Sequence, residues 1–196
     1  MPRKNIQEEK RIQILQALDQ CLQEKPFDQT SIKDIARAAG VNHGLLHYYF
    51  KNKEDILTNY IDYVILHYRS MFEAWISEKD LGEIDEKEFM KEFFIFMNEK
   101  ITLNQSLSKV FIEIWEIAAY NPLVKTRLQR AYREWTKVLA DILHNTIKDK
   151  AAAQRMSVAV VAFHEGVSLF SVLLEPKDVD FKEVLAVFQK KVIEML

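Results

Sequence analysis

Residues 30–53 read TSIKDIARAAGVNHGLLHYYFKNK. The spacing predicts two short helices joined by a sharp turn. Thr30 or Ser31 offers a hydroxyl to cap the first helix. Ile32, Ile35, Ala36 and Ala39 give that helix one apolar face. Gly40 supplies a backbone position that tolerates positive φ, as a tight turn between helices requires. Val41 plugs the turn, and Asn42 can cap the second helix. Leu46 and Phe50 are four apart and share the inner face, leaving His43, His47, Tyr48 and Lys51 facing outward. Two crossed helices with a polar, aromatic outer face on the second form a helix-turn-helix, whose second helix suits a DNA major groove.

The rest of the chain is consistent with an all-α protein. It has 196 residues, with 48% hydrophobic and 29% charged residues, the balance of an ordinary globular protein. Four Gly and four Pro leave little material for turns. The single cysteine, Cys21, has no partner for an internal disulfide and falls on an apolar helix position, so it reads as a core thiol and the cytoplasm as the expected compartment. No secretory leader and no apolar run of transmembrane length is expected. The net charge of −2 says nothing in favour of DNA. Residues 1–60 hold nine Lys or Arg against eight Asp or Glu. Any phosphate contact therefore depends on local placement: Arg3 and Lys4 in a loose basic tail over 1–7, and Lys51 and Lys53 just past the reading helix.

In chain order, a helix is expected over about 8–24, ended by Lys25-Pro26. The helix-turn-helix follows, making a three-helix domain over 1–53. A long helix over 54–77, with Glu54 and Asp55 at its positive end, would link that head to a second domain over 54–196. The polar stretch 78–86, with Gly82, reads as a loop. Further helices are expected over about 86–103, 106–120, 122–147, 151–174 and 180–195, about nine in all. The helix over 151–174 is apolar on most sides, and the last carries an apolar stripe, so a two-fold seam between copies would bury both. Val161, Gly166, Phe170, Val184 and Phe188 are the expected dimer residues.

The run TSIKDIARAAGVNHGLLHYYFKNKEDIL resembles the DNA-binding signature of the TetR (tetracycline-repressor) family of transcriptional regulators. The matching features are Thr30, Ile35 to Val41, Gly44, Leu46, Tyr49-Phe50 and Lys51 to Leu57. The resemblance implies an N-terminal reading head, a C-terminal helical domain for effector binding and dimerisation, and a regulator, usually a repressor, released from a palindromic operator by a small molecule. A fainter resemblance, in WEIAAYNPLVKTRLQ and around Phe163-His164-Glu165-Gly166, is to the choline-responsive repressors of betaine synthesis.

Chemistry assigns roles within the head. Asn42, His43, Leu45 and His47 are the expected base readers, by hydrogen bonds or by contact with a thymine methyl. The family more often has Lys at the position of His43 and Tyr at that of His47, so an operator copied from relatives is doubtful here. Thr30, Tyr48, Tyr49, Lys51 and Lys53 are the expected phosphate contacts. For the effector, Tyr68, Phe93, Phe96, Met97, Phe111, Trp115, Tyr120, Trp135 and Phe163 are candidates, with Glu113, Glu116 and Glu165 interspersed. Aromatic faces with a carboxylate suit an organic cation, while the rings alone suit an apolar effector or an ordinary core. No cofactor, metal site or catalytic residue is expected: there is no GxGxxG or HExxH, and His43 with His47 lacks a third ligand. The competing classes are an apolar-ligand binder or enzyme with a vestigial DNA head, and a structural DNA-binding protein without an effector.

Overall fold

The computed structural model describes residues 3–79 and 85–196. Met1, Pro2 and residues 80–84, including Gly82 of the expected loop, lie outside the described residues. All regular structure among the described residues is helical: α1 Arg3–Glu24, α2 Ile32–Ala38, α3 His43–Tyr49, α4 Lys53–Ser77, α5 Glu86–Met97, a π-helical turn Asn98–Thr102, α6 Gln105–Tyr120, α7 Pro122–His144, α8 Lys150–Leu173 and α9 Phe181–Glu194.

Helix α1 starts well before the expected Glu8, replacing most of the loose tail. Arg, Lys, Gln and Glu are good helix formers even without an apolar stripe, and Gln7 donates to the Tyr48 hydroxyl on α3 at 3.0 Å. The expected helix over 86–103 becomes α5 plus the π-helical turn.

The chain divides into two compact units. The first comprises residues 1–74 with 113–127, and the second 75–112 with 128–196. Most of α4, the second half of α6 and the start of α7 therefore belong with the reading head. In the first unit, Ile14, Leu18, Ile35, Leu46, Phe50, Ile56, Tyr60 and Ile61 are the inaccessible core. Tyr60 donates to Asp19, and burial together with that carboxylate pushes its phenol up. In the second unit, Trp75 packs on Phe89, Phe93 and Phe96.

Helix α8 departs from expectation: it is long and apolar enough to cross a membrane by length and composition. Small apolar residues fill several of its sides. Its buried side nevertheless carries Ser157, His164, Ser168 and Ser171. His164 donates from Nδ1 to the Val160 carbonyl (2.8 Å) and accepts at Nε2 from Gln189 of α9 (3.1 Å). Gln189 and Asn98 exchange a pair of amide hydrogen bonds, and Phe94 stacks on the imidazole. The paired His164, Gln189 and Asn98 side chains select one register of α8 and α9.

Candidate nucleic-acid interface and effector site

The reading unit is built by local rules. Ser31 is the N-cap of α2 and forms a capping box with Asp34. Hydrogen bonds from Lys25 and Ser31 hold the Asp34 carboxyl well below the usual range. At the other end Gly40 takes φ +61. Its N–H donates to Arg37 O and that of Val41 to Ala36 O (3.1 and 3.0 Å), the paired bonds of a Schellman stop. Gln13 of α1 donates to Ala39 O at 2.7 Å, bracing the turn. Asn42 then caps α3, its Oδ1 accepting from Leu45 N–H at 2.7 Å. Arg11 seats the far end of α3. Its guanidinium donates to Tyr49 O and Asn59 Oδ1 and covers the Phe50 ring at 4.6 Å.

The outer surface of α3 carries Asn42, His43, His47 and Tyr48, all exposed, with Leu45 half-buried. The two imidazoles meet edge to face, 4.5 Å between centroids, so they form one paired surface. The Asn42 oxygen is engaged by the cap, leaving its NH2 to donate.

The expected phosphate contacts separate into two kinds. Lys51 is exposed and Tyr48 presents its hydroxyl, while Tyr49 is half-buried with its ring edge to face on Tyr48 at 5.1 Å. Thr30 is buried and its hydroxyl donates to Pro26 O. The Lys53 ammonium donates to the carbonyls of Phe27 (2.6 Å), Asp28 (3.3 Å) and Thr30 (2.8 Å) and lies 4.2 Å over the Phe27 ring. The Thr30 hydroxyl and the Lys53 ammonium are thus held by the connection between α1 and α2, for which their positions in a TetR-like motif offered no sign.

The candidate effector residues are divided between the units. Tyr68, Trp115 and Tyr120 fall in the first; Phe93, Phe96, Met97, Phe111, Trp135 and Phe163 fall in the second. Tyr120 is 88% exposed, so it walls no cavity. It lies at the end of α6, where Asn121 starts the next helix and nothing covers the ring. Tyr68 is half-buried, and burial pushes its phenol up to about 12. Phe163 is stacked on Phe188 of the same chain at 3.8 Å, so an expected pocket ring and an expected dimer ring pack on each other. Within the second unit, Phe111, Tyr132 and Trp135 gather: Trp135 is 5.2 Å from Tyr132 and 6.3 Å from Phe111. The Tyr132 hydroxyl donates to Glu165 Oε1 at 2.8 Å. Burial pushes the Glu165 carboxyl up to about 7, against the pull of that bond. Tyr132 is the member sequence reasoning missed; it faces the same side of α7 as Trp135, three residues on. Of the other glutamates, Glu116 is exposed and Glu113 accepts from Phe27 N–H.

The expected seam residues also differ among themselves. Phe170 and Val184 are exposed, with Leu173 and Val187 beside them in sequence also open. Val161 and Gly166 are half-buried, and α8 runs unbroken through Gly166. Among the described residues, no three His, Cys, Asp or Glu side chains gather as a metal site.

A braced helix-turn-helix followed in the chain by a helical unit is the arrangement of a DNA-binding regulator of transcription. A family model described as bacterial regulatory proteins, tetR family, matches residues 14–59, and one described as BetI-type transcriptional repressor, C-terminal, matches 98–196. The chain belongs to the tetR family, with a C-terminal half of the BetI type, and is a ligand-responsive DNA-binding repressor. It is 21% identical over 182 residues to the HTH-type transcriptional regulator BetI 1 of Chromohalobacter salexigens, covering 92% of this chain and 87% of that one. It is 24% identical over 161 residues to BetI of Pectobacterium atrosepticum, covering 81% of each. Its fold is similar to that of a transcriptional regulator from Saccharomonospora viridis solved in complex with choline (TM-score 0.77, 21% identity, 95% and 96% covered). It is also similar to that of the fatty acid degradation regulator FadR from Bacillus halodurans (TM-score 0.72, 20% identity, 94% of each covered).

Proposed function

We propose that this regulator acts in the cytoplasm as a homodimer, reads a palindromic operator with α3, and is released from it by an organic cation of the quaternary-ammonium class. It regulates by binding and catalyses no reaction. The observation that carries the effector class is the part-buried Glu165 carboxylate, which accepts from the Tyr132 hydroxyl, with Tyr132 edge to face on Trp135. A carboxylate in apolar surroundings favours a cation that balances its charge, and aromatic faces favour one too diffuse to need hydrogen bonds. The BetI-type match and the choline-bound relative support the same class. His43 and His47 read bases as a pair, with Leu45 and the Asn42 NH2 beside them. Lys51 and Tyr48 are the phosphate contacts. The exposed apolar residues of α8 and α9 form the seam between copies, because a patch so open on two adjoining helices needs a partner.

The test starts by selecting a preferred duplex from a random pool with the purified protein. Choline, a neutral isostere of choline and a fatty acid are then compared for release of that duplex. Release by choline alone is the expected result. Release by the fatty acid alone would transfer the effector to the apolar class suggested by the FadR-like fold. A Glu165→Gln variant should keep its duplex affinity and lose most of its choline response.

A further inference from the structure

Of the five histidines in the chain, His43 and His47 lie four apart on α3. Residues at that spacing share one face of a helix. Both imidazoles are exposed, and their centroids are 4.5 Å apart. The other three histidines, His67, His144 and His164, have no second histidine within a turn of them. They are also engaged elsewhere. Both nitrogens of His164 are hydrogen-bonded, His144 Nδ1 meets Ile147 O at 3.1 Å, and His67 packs on the rings of Tyr63 and Tyr68. The His43 and His47 rings touch each other, and among the described residues no hydrogen bond engages either one. Gly44, beside them on α3, adds no side chain to cover the pair, and a Cβ there would meet only Asn42 Oδ1 at 3.5 Å.

Two imidazoles at this spacing on an exposed helix can chelate a divalent transition metal. A metal–nitrogen bond is about 2.0–2.1 Å, so two bound nitrogens stand about 3 Å apart. Rings whose centroids are 4.5 Å apart can span that separation. Water completes the coordination, since among the described residues no third His, Cys, Asp or Glu joins the pair. Such a site is open and exchanges its ion, unlike the closed four-ligand sites of structural zinc. The exposed Lys51, one turn further on, opposes a cation, so the affinity comes from the two imidazoles alone. Cu2+ binds nitrogen ligands more tightly than Ni2+ or Zn2+ does.

We propose that His43 and His47 form an open site for a divalent transition metal on the outer face of α3, and that a metal held there removes sequence discrimination. The second half rests on the reading of bases by α3. A ring nitrogen bound to a metal has no proton to donate and no lone pair to accept with, so it cannot meet a base edge. The two positive charges of the ion still attract phosphates. The metal therefore erases the preference for one sequence more than the affinity for DNA as such.

The experiment has two arms. In the first, without DNA, Cu2+ is titrated into the full chain by calorimetry, and electron paramagnetic resonance counts the nitrogens on the bound ion. The wild type should bind one equivalent through two imidazoles. His43→Ala and His47→Ala should each show one imidazole and an affinity lower by about tenfold or more, because the chelate is lost. His67→Ala should match the wild type. Both α3 substitutions are at exposed positions and introduce a better helix former, so the fold is retained, as circular dichroism checks. Equal affinity in the wild type and the two α3 variants overturns the site. In the second arm, Kd is measured for the selected duplex and for a scrambled one of the same composition, without metal, with Ni2+, and after EDTA. In the wild type the ratio between the duplexes should fall by about tenfold or more with Ni2+, the worth of a lost base contact, and return with EDTA. In His47→Ala the ratio, whatever its value without metal, should not respond. A wild-type ratio that Ni2+ leaves unchanged or raises overturns the effect on discrimination. If the wild type selects no duplex, the DNA reading fails and that effect with it, while the first arm still decides the metal site.

Discussion

Lys51 and Lys53 are two residues apart and carry the same charge, yet their surroundings give them different work. The Lys53 ammonium donates to three carbonyls of one connection, whereas the Lys51 side chain is exposed. Removing a charged donor from several acceptors costs roughly 1.5–3 kcal/mol. A phosphate contact instead appears in the salt dependence of binding. Lys53→Met should therefore lower the stability of the protein by that amount in chemical denaturation, with the salt slope of DNA binding unchanged among the folded molecules. Lys51→Ala should leave stability alone and reduce the slope by about one. The reverse pattern in the two variants would return Lys53 to the DNA surface.

Two elements show how local chemistry and exposure decide a role. The turn between α2 and α3 depends on Gly40 in the left-handed region, where a Cβ would meet nothing within 4 Å. Gly40→Ala therefore adds backbone strain without a clash, about 1–2 kcal/mol, and should lower the denaturation midpoint with little change in the fold by circular dichroism. On α8 and α9 the question is burial. Phe170 is 53% exposed and Val187 61%, so a charge at either site disturbs little packing within the chain. Phe170→Glu or Val187→Glu should leave the helical content intact and convert a dimer to a monomer in sedimentation, with duplex affinity lower by tenfold or more. A wild type that sediments as a monomer at micromolar concentration would contradict the seam.

For the whole molecule, two adjacent residues of α8 link stability to pH in opposite senses. Burial holds the His164 imidazole below its ordinary range. The unfolded chain then binds the extra proton, so this contribution is complete above the ordinary histidine pKa near 6.5 and is lost as pH falls below it. Burial raises Glu165 from 4.5 to about 7. The folded state then holds the extra proton, so this contribution is complete below 4.5 and is lost as pH rises through 7. Glu165→Gln removes the second effect alone. Its melting temperature relative to the wild type should climb between pH 5 and pH 8 in differential scanning. A cation also binds the ionised carboxylate best, so choline affinity in the wild type should strengthen over the same interval and lose that dependence in Glu165→Gln. A flat difference in melting temperature would show that Glu165 is not the buried acid it is taken to be.

What the sequence by itself determined is whatever local periodicity and turn chemistry specify. A hydroxyl cap at Thr30 or Ser31, the glycine stop at Gly40, the cap at Asn42 and the inward pair Leu46 and Phe50 all follow from neighbours within a few positions, and the structure settles the first on Ser31. The all-helical class and the order of the helices follow from the same rules applied along the chain. Helix limits slipped where no apolar stripe marks them, as at the start of α1, or where the helix changes hydrogen-bond spacing, as at Asn98–Thr102. Only tertiary structure decided which side chains meet across long stretches of sequence. The Phe27 and Lys53 link spans 26 residues, the Tyr132 and Glu165 link 33, and the Phe27 and Glu113 link 86. No spacing rule reports such pairs, because they depend on how helices pack and not on where they begin. For that reason the reading motif was legible from residues 30–53, while the carbonyl-binding role of Lys53, the Tyr132–Glu165 bond and the bond from Phe27 to Glu113 were not.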